Sequence, residues 1–214
     1  MKKIIGKNLD ISEFEEELET LKRPLAIEIP FEILSNKELS LNEKLILGLD
    51  FSFGKKLGFN IMSNLEIGKL LKMHPNIVGN CRINLLKKQY LIKDGRKYFL
   101  TEHYKTAQKS TISDVEKSEN KDQRNIKLPF EIYADNRLKT GEKLLWGEYN
   151  SISKGEIVYF AKREYTAKRL NVSIESISNW TKFLFEKELL REYHLVTGYC
   201  THQRKIITCR FDRE

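Results

Sequence analysis

Cysteine is scarce in this chain: Cys81, Cys200 and Cys209 are three in 214 residues, an odd number without framework spacing. That excludes a disulfide-stapled scaffold and points to a reducing, cytoplasmic setting. Long apolar runs are missing too. Met1-Lys2-Lys3 imitates the start of a signal peptide, but the apolar stretch stops after Ile4-Ile5. No segment approaches the roughly 18 apolar residues of a spanning helix, so no membrane partner is expected. The absence of a Gly-x-x-x-x-Gly-Lys-Ser/Thr run excludes a P-loop ATPase. His74, His103, His194 and His202 contain no His-x-His pair of the kind a metal-dependent nickase uses. His194, Cys200, His202 and Cys209 share one predicted hairpin, but their spacing matches no usual zinc motif, so neither metal nor cofactor is expected. Carboxylates fall mostly on predicted helix surfaces without a convergent pair, and an enzyme is not expected.

What is present is positive charge and a repeat. Lys and Arg number 38 against 30 Asp and Glu, a net +8 with a pI near 9.2. That balance favours polyanionic partners, although many soluble proteins share it. The chain also contains itself twice, at an offset of 99 residues. Ile27-Glu28-Ile29-Pro30-Phe31-Glu32-Ile33 returns as Ile126-Lys127-Leu128-Pro129-Phe130-Glu131-Ile132, and Glu43-Lys44-Leu45 returns as Glu142-Lys143-Leu144. Eighteen identities fall in the sixty-five positions from 27 to 91, spread along the stretch without a gap. A period of this length is domain-sized, which indicates a duplicated module and not a solenoid.

Residues 11–23 (ISEFEEELETLKR) predict a short helix, acidic first and basic last as the helix dipole prefers, ended by Pro24. Residues 1–24 are therefore read as an acidic helical arm outside the repeat. In the first copy, residues 25–102, an extended segment over Ala26–Ile29 ends at Pro30. Ser40-Leu41-Asn42-Glu43 is a capping box for a helix with Leu45, Leu49 and Phe53 on one face, broken by Gly54 and Gly58. Ser63-Asn64-Leu65-Glu66 is a second box, opening a helix to about Lys72. His74-Pro75 starts a third, which carries Val78, Cys81 and Leu85 on its inward stripe. Tyr90–Lys93, Asp94-Gly95 and Arg96–Leu100 read as strand, tight turn and strand. Residues 103–125 are polar, mixed in charge and aperiodic, and read as a flexible linker. The second copy, 126–214, repeats the order. Its third helix is capped by Ser173, and its hairpin is longer. Trp146 and Trp180 fall on helical core registers.

Helix, helix, short turn, helix and hairpin, an α+β but mainly α arrangement, resembles the winged helix-turn-helix fold. Gly68-Lys69-Leu70-Leu71-Lys72-Met73-His74-Pro75-Asn76-Ile77-Val78 and Ala167-Lys168-Arg169-Leu170-Asn171-Val172-Ser173-Ile174-Glu175-Ser176-Ile177 carry the small-x-x-Leu-x-Val-Ser-x-x-x-Val pattern of that family. The opening Ile-x-Ile/Leu-Pro-Phe-Glu-Ile, with Glu-Lys-Leu-x-x-Gly after it, looks like the entry to such domains in plasmid and phage replication proteins. The chain departs from the family where His74-Pro75 replaces the usual Ser-x start and where Arg82 and Thr181 occupy a commonly apolar position.

The resemblance implies two modules that bind double-stranded DNA, as a replication initiator or transcriptional regulator, with each third helix in a major groove. Outward residues would then be Asn76, Gly79, Asn80 and Ile83 in one copy, and Glu175, Ser178, Asn179 and Lys182 in the other. Asparagine can bond adenine bidentately, so Asn80 and Asn179 are either base readers or polar residues on a solvated face. Phosphate contacts are expected from Lys69, Lys72 and Arg82, and from Lys162, Arg163, Lys168 and Arg169. The hairpin tips would add Arg96 and Lys97, and Gln203, Arg204 and Lys205. A second copy of the chain or a replication or transcription protein is a further expected partner. The alternative from a different class is a winged-helix scaffold, similar to the tandem winged-helix subunits of chromosome-condensation complexes, which docks protein and reads no bases.

Overall fold

The computed structural model describes residues 25–106, 123–197 and 202–211. The acidic helix expected over 11–23, most of the expected linker and the tip of the second hairpin lie outside the described residues. The described chain is α+β and mainly helical, with three two-stranded antiparallel sheets.

The first copy runs β1 (Ile27–Ile29), α1 (Phe31–Leu34), α2 (Leu41–Leu57), α3 (Asn64–Leu71), α4 (Pro75–Lys87), β2 (Leu91–Asp94), β3 (Lys97–Leu100) and α5 (His103–Thr106). The second runs β4 (Ile126–Leu128), α6 (Phe130–Tyr133), α7 (Thr140–Ser153), α8 (Arg163–Leu170), α9 (Ile174–Glu186), β5 (Leu190–Thr197) and β6 (His202–Thr208). From β1 to α4 each element except the end of α2 has its counterpart at the same 99-residue offset, so the repeat extends to element boundaries.

Local chemistry explains most boundaries. Ser40 and Ser63 accept from the backbone N–H of Glu43 and Glu66, whose carboxylates reach back to the serine N–H groups, closing both capping boxes. His74 accepts from Asn76 N–H through Nδ1 and Ser173 from Ser176 N–H, opening α4 and α9. Two details differ from expectation. Helix α2 runs through Gly54 and stops only at Gly58, whose φ of 95° supplies the left-handed turn. The start of the polar stretch after 102 folds as α5, where Tyr104 is buried and meets the Phe51 ring edge-on.

The two copies share one core and are joined about an approximate twofold axis. Strand β1 pairs antiparallel with β4, with Ile27 opposite Leu128, Glu28 opposite Lys127 and Ile29 opposite Ile126. The central pair is a residue and its own counterpart, as a twofold axis between copies requires. Each strand lies on the long helix of its copy at a retained glycine. A Cβ at Gly48 would stand 2.5 Å from Ile29 Cγ1, and one at Gly147 would stand 2.6 Å from Leu128 Cδ2. Helices α2 and α7 also pack on each other, and Thr140 Oγ1 donates to Asn42 Oδ1 across the junction (2.6 Å).

The copies have diverged in matched pairs between the long helix and the third helix. Asp50 and Arg82 form a buried ion pair in the first copy; the same two positions hold Tyr149 and Thr181 in the second, whose hydroxyls are 2.7 Å apart. The positions of Asn42 and Cys81 in the first copy hold Gly141 and Trp180 in the second, and a Cβ at Gly141 would strike the Trp180 indole. Each change of volume or charge on one helix is answered on the other, as close packing requires.

Candidate nucleic-acid interface

In each copy a helix of eight residues, α3 or α8, turns into α4 or α9 through a residue with left-handed backbone, Lys72 (φ 57°) or Asn171 (φ 56°). Close approach at the first turn needs a small side chain: a Cβ on Gly68 would sit 2.7 Å from the Met73 carbonyl oxygen. Leu71, Val78 and Leu85 in one copy, and Leu170, Ile177 and Leu184 in the other, are fully buried and fix which face of α4 and α9 turns outward. That face carries Asn76, Ile77, Asn80 and Ile83 on α4, all exposed, and no acid. On α9 it carries Glu175, Asn179 and Lys182, exposed, with Ser178 half-buried and donating to the Ile174 carbonyl. Asn80 and Asn179 occupy equivalent, exposed positions.

Lys69, Lys72, Lys162 and Lys168 are exposed and Arg163 is half-buried, so α3 and α8, which pack on α4 and α9, carry solvent-facing cations along or at their ends. Arg96 is exposed at the first hairpin turn, near enough to Glu66 in the first turn of α3 to help hold that carboxylate low. The Ser63 hydrogen bonds are the larger cause. Lys97 is half-buried with its ammonium 4.5 Å from the centre of the Phe59 ring. Lys205 is exposed on β6; the side chains of Gln203 and Arg204 lie outside the described residues.

Two expected phosphate contacts are corrected. Arg82 is 2% exposed. It donates to the Met62 carbonyl at 2.6 Å and pairs with Asp50 at 3.5 Å, and its guanidinium carbon lies 3.9 Å from the centre of the Tyr98 ring. It ties α4 to α2 and to the hairpin. Burial pushes the Asp50 carboxyl above its usual range, opposed by Arg82 and by the Asn60 amide. Arg169 is 3% exposed. Its Nε lies 2.9 Å from Glu148 Oε1, it donates to the Arg124 carbonyl, and it stacks over the Phe31 ring of the other copy. The sequence did hold a signal for Arg82: it falls beside Cys81 and between Val78 and Leu85, where the commonly occurring residue is apolar.

Two lysines outside the expected DNA contacts bridge the copies. Lys44 on α2 and Lys143 on α7 are each 1% exposed. Lys44 Nζ donates to the Leu170 carbonyl at 2.9 Å, and Lys143 Nζ donates to the Leu71 carbonyl at 2.8 Å and to the Tyr133 carbonyl at 2.8 Å. Each therefore caps the C-terminal end of α8 or α3 in the opposite copy, where the helix dipole favours a cation. Burial brings both ammonium groups down to about 8. Their one available signal was identity between the copies.

A cleft of about 680 Å³ is lined by Lys127, Trp146, Asn150, Lys154, Arg210 and Phe211 among others, and by no residue of α3, α4, α8 or α9. Among the described residues no helix is long and apolar enough to cross a membrane, and no three His, Cys, Asp or Glu side chains group as a metal site. No protein-family model matches the chain, and no curated protein and no solved structure is matched by it.

Proposed function

We propose that this chain binds double-stranded DNA sequence-specifically through two winged helix-turn-helix units, as a replication initiator or a transcriptional regulator. The observation that carries the reading is the twice-built outward face: α4 and α9 present equivalent asparagines, Asn80 and Asn179, beside lysines of α3 and α8. Asparagine suits adenine, exposed Ile77 and Ile83 suit thymine methyl groups, and Lys182 suits guanine. The antiparallel pairing of β1 with β4 relates the copies by an approximate twofold axis, and a reader with twofold-related helices calls for an inverted site. The favoured site is thus an inverted repeat with unequal halves, since the two outward faces differ.

The test is selection of duplexes from a random pool, followed by fluorescence-anisotropy titration against salt. An inverted, imperfect repeat whose affinity falls steeply with salt is expected. Asn80→Ala and Asn179→Ala should each cost about 1–3 kcal/mol and relax one half of the site. Charge reversal at Lys162, Arg163 and Lys168 should weaken all sequences alike. Absence of enrichment, or binding insensitive to salt, rejects the proposal and favours the scaffold alternative.

A further inference from the structure

Resting on that reading, we infer that Lys44 and Lys143 are positioning residues: reciprocal braces by which each copy's long helix sets the helix-turn-helix of the other copy. The carbonyls they hold, Leu170 and Leu71, are the last residues of α8 and α3, one position before the left-handed turn residues Asn171 and Lys72. A turn anchored there fixes where α9 and α4 begin. The strand pair β1–β4 and the packing of α2 on α7 join the copies at their bases. The lysine bonds reach past that junction to the turns themselves. Arg169, over Phe31, is a second side chain joining α8 to the first copy. At the equivalent place on the other side the first copy has Leu70, and Phe130 is exposed. Lys143 holds two carbonyls, of Leu71 and Tyr133, where Lys44 holds one, so the brace on α3 carries the larger share on its lysine.

Two identical lysines, buried at full desolvation cost and each bonded only to carbonyl oxygens, are an expensive way to fill a core. A rigid two-headed reader gives them a use. Two heads fixed at one separation bind a bipartite site with a high effective concentration, and heads free to tilt lose that advantage.

The charged groups facing each lysine are few. Lys143 has Asp135, Lys72 and Glu142 within electrostatic reach, whereas burial alone moves Lys44, its chain neighbour Glu43 being bonded to Ser40 and Lys88. When the lysines are replaced, Asp135 keeps Arg137 and Glu43 keeps Lys88, and Glu142 keeps its hydrogen bond from the Lys139 N–H.

The experiment uses the full chain and the variants Lys44→Met, Lys143→Met and the double variant. Spin labels introduced through non-canonical residues at the equivalent exposed positions Lys87 and Glu186 report the distance between α4 and α9 without DNA. Binding is measured to the duplex selected by the wild-type chain and to two derivatives with one half scrambled. Expected are a broadened distance distribution in the double variant and unchanged affinity for either half-scrambled duplex. Affinity for the intact duplex should fall at least tenfold, with relaxed preference for half-site spacing, and Lys143→Met should have the larger single effect. Should the double variant not fold, Lys44→Gln and Lys143→Gln, which keep an N–H donor, should leave both readouts close to wild type, while the single methionine variants shift them. An unchanged distance distribution, or equal loss on intact and half-scrambled duplexes, overturns the brace. If the wild-type chain enriches no duplex, the DNA reading fails, and the distance measurement still decides the brace.

Discussion

Lys44 and Lys143 should each contribute more stability as the pH is raised above 8. In the unfolded chain a lysine loses its proton near 10.5; buried in the fold, each of these loses it near 8. Below pH 8 both states hold the proton, and the folded state carries the whole cost of burying the charge. Between pH 8 and 10.5 the unfolded state binds more protons than the folded one, so stability rises with pH. At 1.36 kcal/mol per pH unit, each lysine is worth about 3 kcal/mol across that window. The neutral amine still donates to its carbonyl, so the contact persists while the desolvation cost disappears. Other groups act in the opposite sense: burial pushes the Cys81 thiol from 9.0 up to about 11 and the Tyr104 hydroxyl from 10.0 up to about 12, so they lower stability above pH 9 and pH 10 respectively. The difference between wild type and Lys44→Met or Lys143→Met cancels those contributions. At pH 7 each methionine variant removes a buried charge, a gain of about 3 kcal/mol, and takes the lysine donor from the Leu170 carbonyl, or from those of Leu71 and Tyr133, a combined loss of about 1–3 kcal/mol. Near-neutral variants are therefore expected at pH 7. At pH 10 each should be less stable than wild type by about 2–3 kcal/mol. Urea unfolding followed by Trp146 and Trp180 fluorescence at several pH values between 7 and 10 provides the measurement. Parallel stability curves for wild type and variants would refute the argument.

Two further predictions concern the core. Arg82→Thr alone strands the Asp50 carboxyl and should cost about 3–5 kcal/mol. Asp50→Tyr with Arg82→Thr installs the pair that the second copy uses at those positions, and a double-mutant cycle by urea unfolding should recover at least about 2 kcal/mol of the summed single costs. Gly48→Ala drives a methyl into Ile29 and should destabilise by about 1–3 kcal/mol in the same assay, although alanine is the better helix former.

Much of the local architecture was legible in the linear chain. The capping boxes at Ser40 and Ser63, the start at His74-Pro75, the Ser173 cap and the inward stripe of Val78 and Leu85 all depend on residues within a few positions of each other. The interactions that form them are equally local. The candidate reading residues were legible for the same reason: once the inward stripe is known, Asn80 and Asn179 must face away from it.

Burial and cross-copy contact were not legible. Arg169 looks like any surface cation until the fold brings Glu148 beneath it, and the apolar register of Arg82 does not name Asp50 as its partner. Glu43-Lys44 reads as the solvated first turn of a helix, and its lysine lies 126 positions from the carbonyl it holds. The repeat by itself determined that there are two copies of one unit, each with its helices and hairpin in the same order. Only the tertiary structure decided that the copies face each other about a twofold axis, through β1 and β4, with buried lysines crossing between them. A pattern of residues reports which side of an element is apolar; it does not report which distant surface that side will meet, and that meeting sets the cost or gain of each buried charge.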